Sequence, residues 1–134
     1  MEPRRCTMQP RDAASTEPLR LVTSSRMAED RRTSLETALS AKDLGRVSSV
    51  GVKVSLLVTG EAHLYVSDHP VHYWDSCAPL VVLQEAGGAA TISGGRLFEY
   101  KLSSRDFLHP GPFVASSVGA HEGLRERVEA NLGW

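Results

Sequence analysis

The 134-residue sequence has little of several features that mark particular classes of protein. Its two cysteines, Cys6 and Cys77, are too few for the disulfide framework of a small secreted domain. The formal net charge is −1, so electrostatics favour neither a nucleic acid nor a charged membrane surface as partner. No apolar run approaches membrane-spanning length, and no apolar segment near residue 1 is typical of a secretory signal. We therefore expect a cytoplasmic or membrane-peripheral location.

What remains is the composition of one ordinary globular domain, with 41% hydrophobic and 23% charged residues. Residues 1–17 are rich in proline and charge but poor in large apolar side chains. This composition predicts an irregular lead-in, followed by a single domain over residues 18–134.

Strand-like and helical patterns alternate through the domain. They predict strands at 19–24, 45–51, 62–66, 89–93 and 113–116, a short extended piece at 97–100, and helices at 29–41, 74–88 and 119–132. Periodicity does not distinguish a strand from a helix at 52–58, and the glycine at position 60 favours a helix that stops there. Such alternation predicts an α/β protein with a mixed, mainly parallel sheet.

The stretch 74–88, Trp-Asp-Ser-Cys-Ala-Pro followed by an apolar run and two glycines, has a marked start and stop. Asp75 is a favourable N-cap residue, and Gly87 and Gly88 suit a left-handed C-cap. The apolar run predicts a helix buried on nearly every side, with Cys77 as a small hydrophobic residue in it. Asp75 is also the best candidate metal ligand, because a carboxylate oxygen suits Mg²⁺.

Other polar residues also have two interpretations. Lys53, near the start of the 52–58 helix, is either an anion ligand beside free backbone N–H groups or a lysine whose stem covers apolar surface. Arg26 follows a strand and two serines, where it either clamps a phosphate or lies exposed. A group of histidines around Asp68 is at most a weak zinc signal, and we interpret it as a solvated loop: His63, His69 and His72.

Taken together, several motifs resemble the C-terminal half of inositol-monophosphatase-like phosphatases. The subfamily with the greatest resemblance is the 3'(2'),5'-bisphosphate nucleotidases of sulfate assimilation. The resemblance covers about residues 19–130 and rests on Ser-Val-Gly-Val-Lys at 49–53, Gly-Glu-Ala-His-Leu-Tyr-Val at 60–66, Trp-Asp-Ser-Cys-Ala-Pro at 74–79, Glu-Ala-Gly-Gly at 85–88 and the segment 103–111.

This resemblance implies a layered αβα sandwich, the C-terminal half of the sugar-phosphatase fold. It also implies a Mg²⁺-dependent phosphomonoesterase that converts adenosine 3',5'-bisphosphate to AMP and phosphate. By position in the family motifs, the implied roles are metal ligation by Asp75, phosphate contact by Lys53, a tight turn formed by Ser49 and Gly51, and nucleotide contact by Ser25 and Arg26.

The sequence also departs from the family pattern. It lacks the paired glutamate and the Asp-Pro-x-Asp-Gly-Thr element that supply most metal ligands, and neither Met27 nor Ala28 is the histidine expected after Arg26. We therefore expect the chain alone to be inactive and to need a missing N-terminal half or a homo-oligomeric partner. Two alternatives remain open: an inositol monophosphatase-type enzyme, or a non-catalytic fold remnant or binding module.

Overall fold

A computed structural model describes Met8 and residues 15–117 and 119–134 of the chain. In these ranges the regular elements are β1 (Leu19–Thr23), α1 (Glu29–Leu39), β2 (Ala41–Arg46), α2 (Val50–Thr59), β3 (Leu64–Ser67), α3 (Tyr73–Glu85), β4 (Ala89–Ile92), β5 (Phe113–Ser116) and α4 (His121–Leu132). None of the helices described here has both the length and the apolar character that crossing a membrane would need.

The five strands form one sheet in the order β2-β1-β3-β5-β4. β1 pairs in parallel with β2 and with β3, whereas β5 runs antiparallel to both β3 and β4. Four strands therefore point in one direction and β5 opposes them, which confirms the predicted mixed, mainly parallel sheet.

Helices cover both faces of this sheet. The apolar side chains of α2 and α3, such as Leu57 and Leu83, pack with Val22, Tyr65 and Phe113 on one face. Those of α1 and α4 pack on the other face in a second cluster: Leu35, Leu39 and Val128 with Leu21, Leu64, Val66 and Val114. The α/β class and the αβα layering are thus confirmed, and the loops at the strand ends are left free to form a site.

Two predicted boundaries near β2 are wrong. The strand lies at Ala41–Arg46 and not at 45–51, and the preceding helix ends at Leu39, where Ser40 takes a left-handed conformation with φ 50°. The local sequence does not predict this strand, because Ala-Lys-Asp-Leu-Gly-Arg contains few residues that favour β-structure. Parallel pairing with β1 decides the conformation of this edge strand instead.

α3 begins and ends near the predicted residues, but its start is built differently. Its N-cap is His72, and Asp75 lies in the first turn and makes no cap, so the N-cap prediction for Asp75 is wrong. At the other end the N–H groups of Gly87 and Gly88 donate to the carbonyls of Gln84 and Leu83, the two bonds of a Schellman motif. The predicted glycine stop is therefore confirmed.

The prediction that α3 is buried on nearly every side is also wrong. Leu80 and Leu83 face the core, whereas Val81 and Val82 are 57% and 54% exposed. Cys77 is likewise exposed and does not pack as a core residue. Together with Val52 on α2, which is 50% exposed, these valines give the outer side of α2 and α3 an apolar character.

Most of the predicted lead-in lies outside the described residues. Met8 is described, and it is buried against the C-terminal end of α3, where its N–H donates to the Ala86 carbonyl at 3.1 Å. Its side chain belongs to the same apolar cluster as Leu83. At least this residue of the segment 1–17 is therefore part of the core.

Candidate functional site

The carboxyl ends of the three neighbouring parallel strands meet at one edge of the sheet. Side chains that follow such strand ends converge there, which is where α/β proteins commonly bind ligands. A cavity of about 700 Å³ opens at this edge, between the loop after β1, the start of α2, the loop after β3 and the start of α3. It brings together all six residues expected at the site: Ser25, Arg26, Ser49, Gly51, Lys53 and Asp75.

Lys53 is buried in the wall of the cavity. Only 3% of the residue is exposed, and Nζ lies 5.0 Å from the centre of the Tyr65 ring. The carbonyl of Val47 accepts one of its three N–H donors at 2.9 Å. Burial lowers the pKa of the Lys53 ammonium group, since a charge without full solvation is disfavoured. The side chain is therefore a desolvated cation beside the cavity, and not a surface lysine lying over apolar residues.

The turn before α2 holds Ser49 in an unusual conformation. Ser49 has φ 73°, which a residue with a side chain seldom adopts, and its Oγ accepts a hydrogen bond from the Val52 N–H at 3.4 Å. Gly51, expected to keep this turn tight, instead lies inside the first turn of α2, and a Cβ there would make only ordinary contacts. Ser49, and not Gly51, therefore adopts the unusual backbone conformation that this turn requires, although Gly51 still lines the cavity.

Arg26 and Ser25 form the side of the cavity contributed by the loop after β1. Arg26 is exposed and makes no hydrogen bond or ion pair within the described part of the chain. The Ser25 carbonyl accepts a hydrogen bond from the Arg46 guanidinium at 2.7 Å, which fixes the loop against β2. The arginine is therefore free to turn toward an anionic ligand.

Asp75, in the first turn of α3, also lines the cavity and is exposed. Its charge is close enough to Tyr65 to add to the effect of burial, and both raise the pKa of the Tyr65 hydroxyl. Among the described residues, no group of three or more His, Cys, Asp or Glu side chains is placed to hold a metal ion. The carboxylate oxygens of Asp75 suit Mg²⁺, but one carboxylate is only part of a ligand set. The described residues therefore do not fit a magnesium site by themselves.

Of the three neighbouring histidines, His63 lies away from the cavity whereas His69 and His72 both line it, and no metal-ligating group of three among the described residues supports a zinc site. Arg20 donates its backbone N–H to His63 Nδ1 at 2.9 Å, next to β1 and away from the cavity. The His72 ring stacks on Trp74 with their centroids 4.4 Å apart, and both residues line the cavity. His69 lies in the loop after β3 with its side chain 42% exposed, and its Nδ1 hydrogen-bonds the Asp68 carboxylate at 2.6 Å.

A buried polar network holds the first turn of α3. The Ser76 hydroxyl lies 2.9 Å from both His109 Nε2 and the Tyr100 hydroxyl. His109 is 1% exposed among aromatic rings, and burial lowers its pKa because it disfavours the charged form of the ring. The network connects the segment after β4 to the residue that follows Asp75, and it fixes the position from which Asp75 projects.

Comparison with known proteins identifies a family that has this fold. Residues 4–132 match the model of the inositol monophosphatase family. The 3'(2'),5'-bisphosphate nucleotidase 1 of Rattus norvegicus is 32% identical over 96 residues, which are 71% of this chain and 30% of that protein. The inositol monophosphatase of Thermotoga maritima superposes with a TM-score of 0.67 at 18% identity, over 92% of this chain and 45% of that one.

A second solved structure, an inositol monophosphatase/NADP phosphatase complexed with Mg²⁺ and phosphate, superposes with a TM-score of 0.59 at 18% identity, over 83% of this chain and 39% of that one. The chain belongs to the inositol monophosphatase family. It spans less than half the length of the relatives described here.

Proposed function

We propose that the chain forms the substrate-binding portion of a Mg²⁺-dependent phosphomonoesterase that acts on adenosine 3',5'-bisphosphate and releases AMP and phosphate. The observation that carries this proposal is the convergence of Arg26, Ser49 and Lys53 on one cavity that Asp75 also lines. Two cations and a helix start suit a phosphate ester, because charged donors and free backbone N–H groups both stabilise an anion. The nucleotidases among the relatives favour the nucleotide as substrate.

An aromatic surface at the cavity supports a nucleotide over an inositol phosphate. The indole of Trp74 is 63% exposed, and its ring is held almost parallel to that of His72, at 10°. A flat, exposed ring offers a base a stacking partner, whereas an inositol ring has no π-face to match it. We therefore expect adenosine 3',5'-bisphosphate to bind more tightly than inositol monophosphate.

Replacing Lys53 by methionine is expected to weaken binding of adenosine 3',5'-bisphosphate to the 134-residue chain at least about tenfold, because a charge-assisted hydrogen bond in a desolvated wall is lost. Titration calorimetry without metal measures this affinity. Lys42→Met is the matched control, since Lys42 is exposed on β2 away from the cavity and its loss should change the affinity less than twofold.

Three results of that titration would count against the proposal. Equal binding by the Lys53→Met and Lys42→Met variants would remove Lys53 from the site. Tighter binding of inositol monophosphate would favour the alternative substrate. If neither ester binds the unaltered chain, the cavity is not a phosphate site, and a non-catalytic module remains.

The remaining metal ligands must come from outside the described residues if the chain takes part in catalysis. We propose that they belong to the other half of the fold, supplied by a further segment or a second copy. The outer side of α2 and α3 supports this, because Val52, Val81 and Val82 are each at least half exposed there. Of these three valines, Val82 also lines a groove of about 400 Å³ between the two helices, a surface that favours burial against another protein segment.

Val82→Asp is expected to suppress self-association of the purified chain. A charge at Val82, which lines the groove, would be desolvated on contact, which disfavours any complex that covers it. Light scattering over a range of concentrations should show an average mass that rises for the unaltered chain and stays monomeric for the variant. Thr33→Asp, on the exposed side of α1, should behave like the unaltered chain, and a monomeric unaltered chain would contradict this expectation.

A further inference from the structure

The loop after β3 carries an aspartate–histidine pair that the expected site does not include. Asp68 is 7% exposed at its side chain, and it accepts hydrogen bonds from the Ser24 hydroxyl at 2.8 Å and from Arg31 at 3.4 Å. His69 Nδ1 completes this set at 2.6 Å from the same oxygen that Ser24 contacts. Burial alone would raise the pKa of the Asp68 carboxyl, but the hydrogen bonds from Ser24 and His69 hold it below its usual value.

An ionised Asp68 determines the proton position on the His69 ring. A carboxylate only accepts hydrogen bonds, so the proton between the two groups belongs to Nδ1 of the imidazole. The backbone of His69 is fixed as well, because the Ser67 hydroxyl donates to its carbonyl at 2.9 Å. The ring is thus held in one orientation and one tautomer, as a carboxylate holds a catalytic histidine.

The other ring nitrogen is available to a ligand. The His69 side chain is 42% exposed and lines the same cavity as Arg26 and Lys53. Nε2 makes no hydrogen bond within the described ranges of the chain. A ring that is fixed on one side and open on the other is an arrangement suited to binding and not to packing.

We propose that His69 Nε2 binds the phosphate group of the ligand, with Asp68 as the positioning residue; this inference rests on the proposed function. A protonated imidazole donates Nε2–H to a phosphate oxygen, and the phosphate charge in turn favours the protonated ring, so binding takes up a proton. The charged and titratable groups around this ring come from several elements. Asp68 of the same loop contacts the ring, and Arg31 of α1 contacts Asp68. The same cavity is lined by Arg26 after β1, Lys53 of α2, Tyr65 of β3, and His72 and Asp75 at the start of α3.

The test uses NMR of the imidazole groups in the 134-residue chain with inorganic phosphate as the probe. Phosphate should raise the titration midpoint of the His69 ring by about one pH unit, the effect expected of an opposite charge within hydrogen-bond distance. The midpoint of His63, which lies away from the cavity, should not move. His69→Gln should weaken phosphate binding about tenfold near pH 6, and less at pH 8, because glutamine cannot take up a proton.

Two outcomes would overturn the inference in different ways. If phosphate binds in a Lys53-dependent manner while His69 does not respond and His69→Gln binds equally well, His69 is not a ligand and the proposed function stands. If neither inorganic phosphate nor adenosine 3',5'-bisphosphate binds, both proposals fail.

Asp68→Asn should abolish the phosphate-induced shift at His69 while the circular dichroism spectrum stays unchanged, and a shift that persists would remove Asp68 from the positioning role.

Discussion

Arg32→Met is expected to lower the free energy of unfolding by about 3–5 kcal/mol, because it leaves a nearly buried carboxylate without its cation. Arg32 is 3% exposed on α1, and its Nε donates to the Asp43 carboxylate at 2.9 Å while Nη2 contacts the same oxygen. The Asp43 side chain is 12% exposed, so water replaces little of this contact. Urea unfolding of the variant measures the loss.

The double variant Arg32→Met/Asp43→Asn separates the ion pair from simple packing. Asparagine keeps the acceptor that Asp43 Oδ1 offers to the Gly45 N–H at 3.0 Å, but it carries no charge. We expect the double variant to be more stable than Arg32→Met alone, since the uncompensated charge is gone. A broken buried ion pair is normally costly. If the single variant lost less than about 1 kcal/mol in its free energy of unfolding, Asp43 would have found water or another partner.

Gly88→Ala is expected to destabilise the chain by about 3 kcal/mol through overpacking. A Cβ built on Gly88 would lie 2.8 Å from the Ser116 backbone carbonyl, 2.8 Å from the Met8 side chain and 2.5 Å from that of Leu83. Side chains can turn away, but the carbonyl belongs to β5, which is paired on both sides, with β3 and with β4. The methyl group therefore forces a backbone shift between α3 and the sheet, which thermal and urea unfolding would detect.

Gly123→Ala is the matched control for this substitution. Gly123 lies in α4 with ordinary helical geometry, is exposed, and has no heavy atom within 4 Å of the position of a Cβ. Alanine should stabilise the helix there by about 0.5–1 kcal/mol, because glycine costs more conformational entropy on folding. If both variants had the same stability as the unaltered chain, the close packing at Gly88 would be contradicted.

The sequence allows most of the fold to be predicted, since strand and helix patterns alternate and the glycines at positions 60 and 87 end their helices as expected. The sequence does not reveal β2. Pairing with β1, and not the side chains of Ala41–Arg46, makes this segment an edge strand. Nor does the sequence show that Val81 and Val82 are exposed. Their apolar character predicts burial, and only the folded arrangement shows that the described residues do not cover them.

The site could be predicted as a set of residues but not as a geometry. Motif resemblance identifies Lys53 and Asp75, whereas neither motif nor spacing shows that Lys53 is buried. The binding role we propose for His69 was missed, because an Asp-His pair in a proline-containing loop looks solvated. A usable signal exists nonetheless: Asp68 directly follows a buried strand, at the edge where parallel strands present ligand-binding side chains.

The central claim is that the cavity at the carboxyl edge of β1, β2 and β3 holds a phosphate ester. A crystal structure of the 134-residue chain soaked with adenosine 3',5'-bisphosphate tests this most directly. We predict a phosphate group within hydrogen-bond distance of Lys53 Nζ and the Arg26 guanidinium, with the base near Trp74. A nucleotide bound in the apolar groove between α2 and α3, or an empty cavity at saturating ligand, would contradict the account.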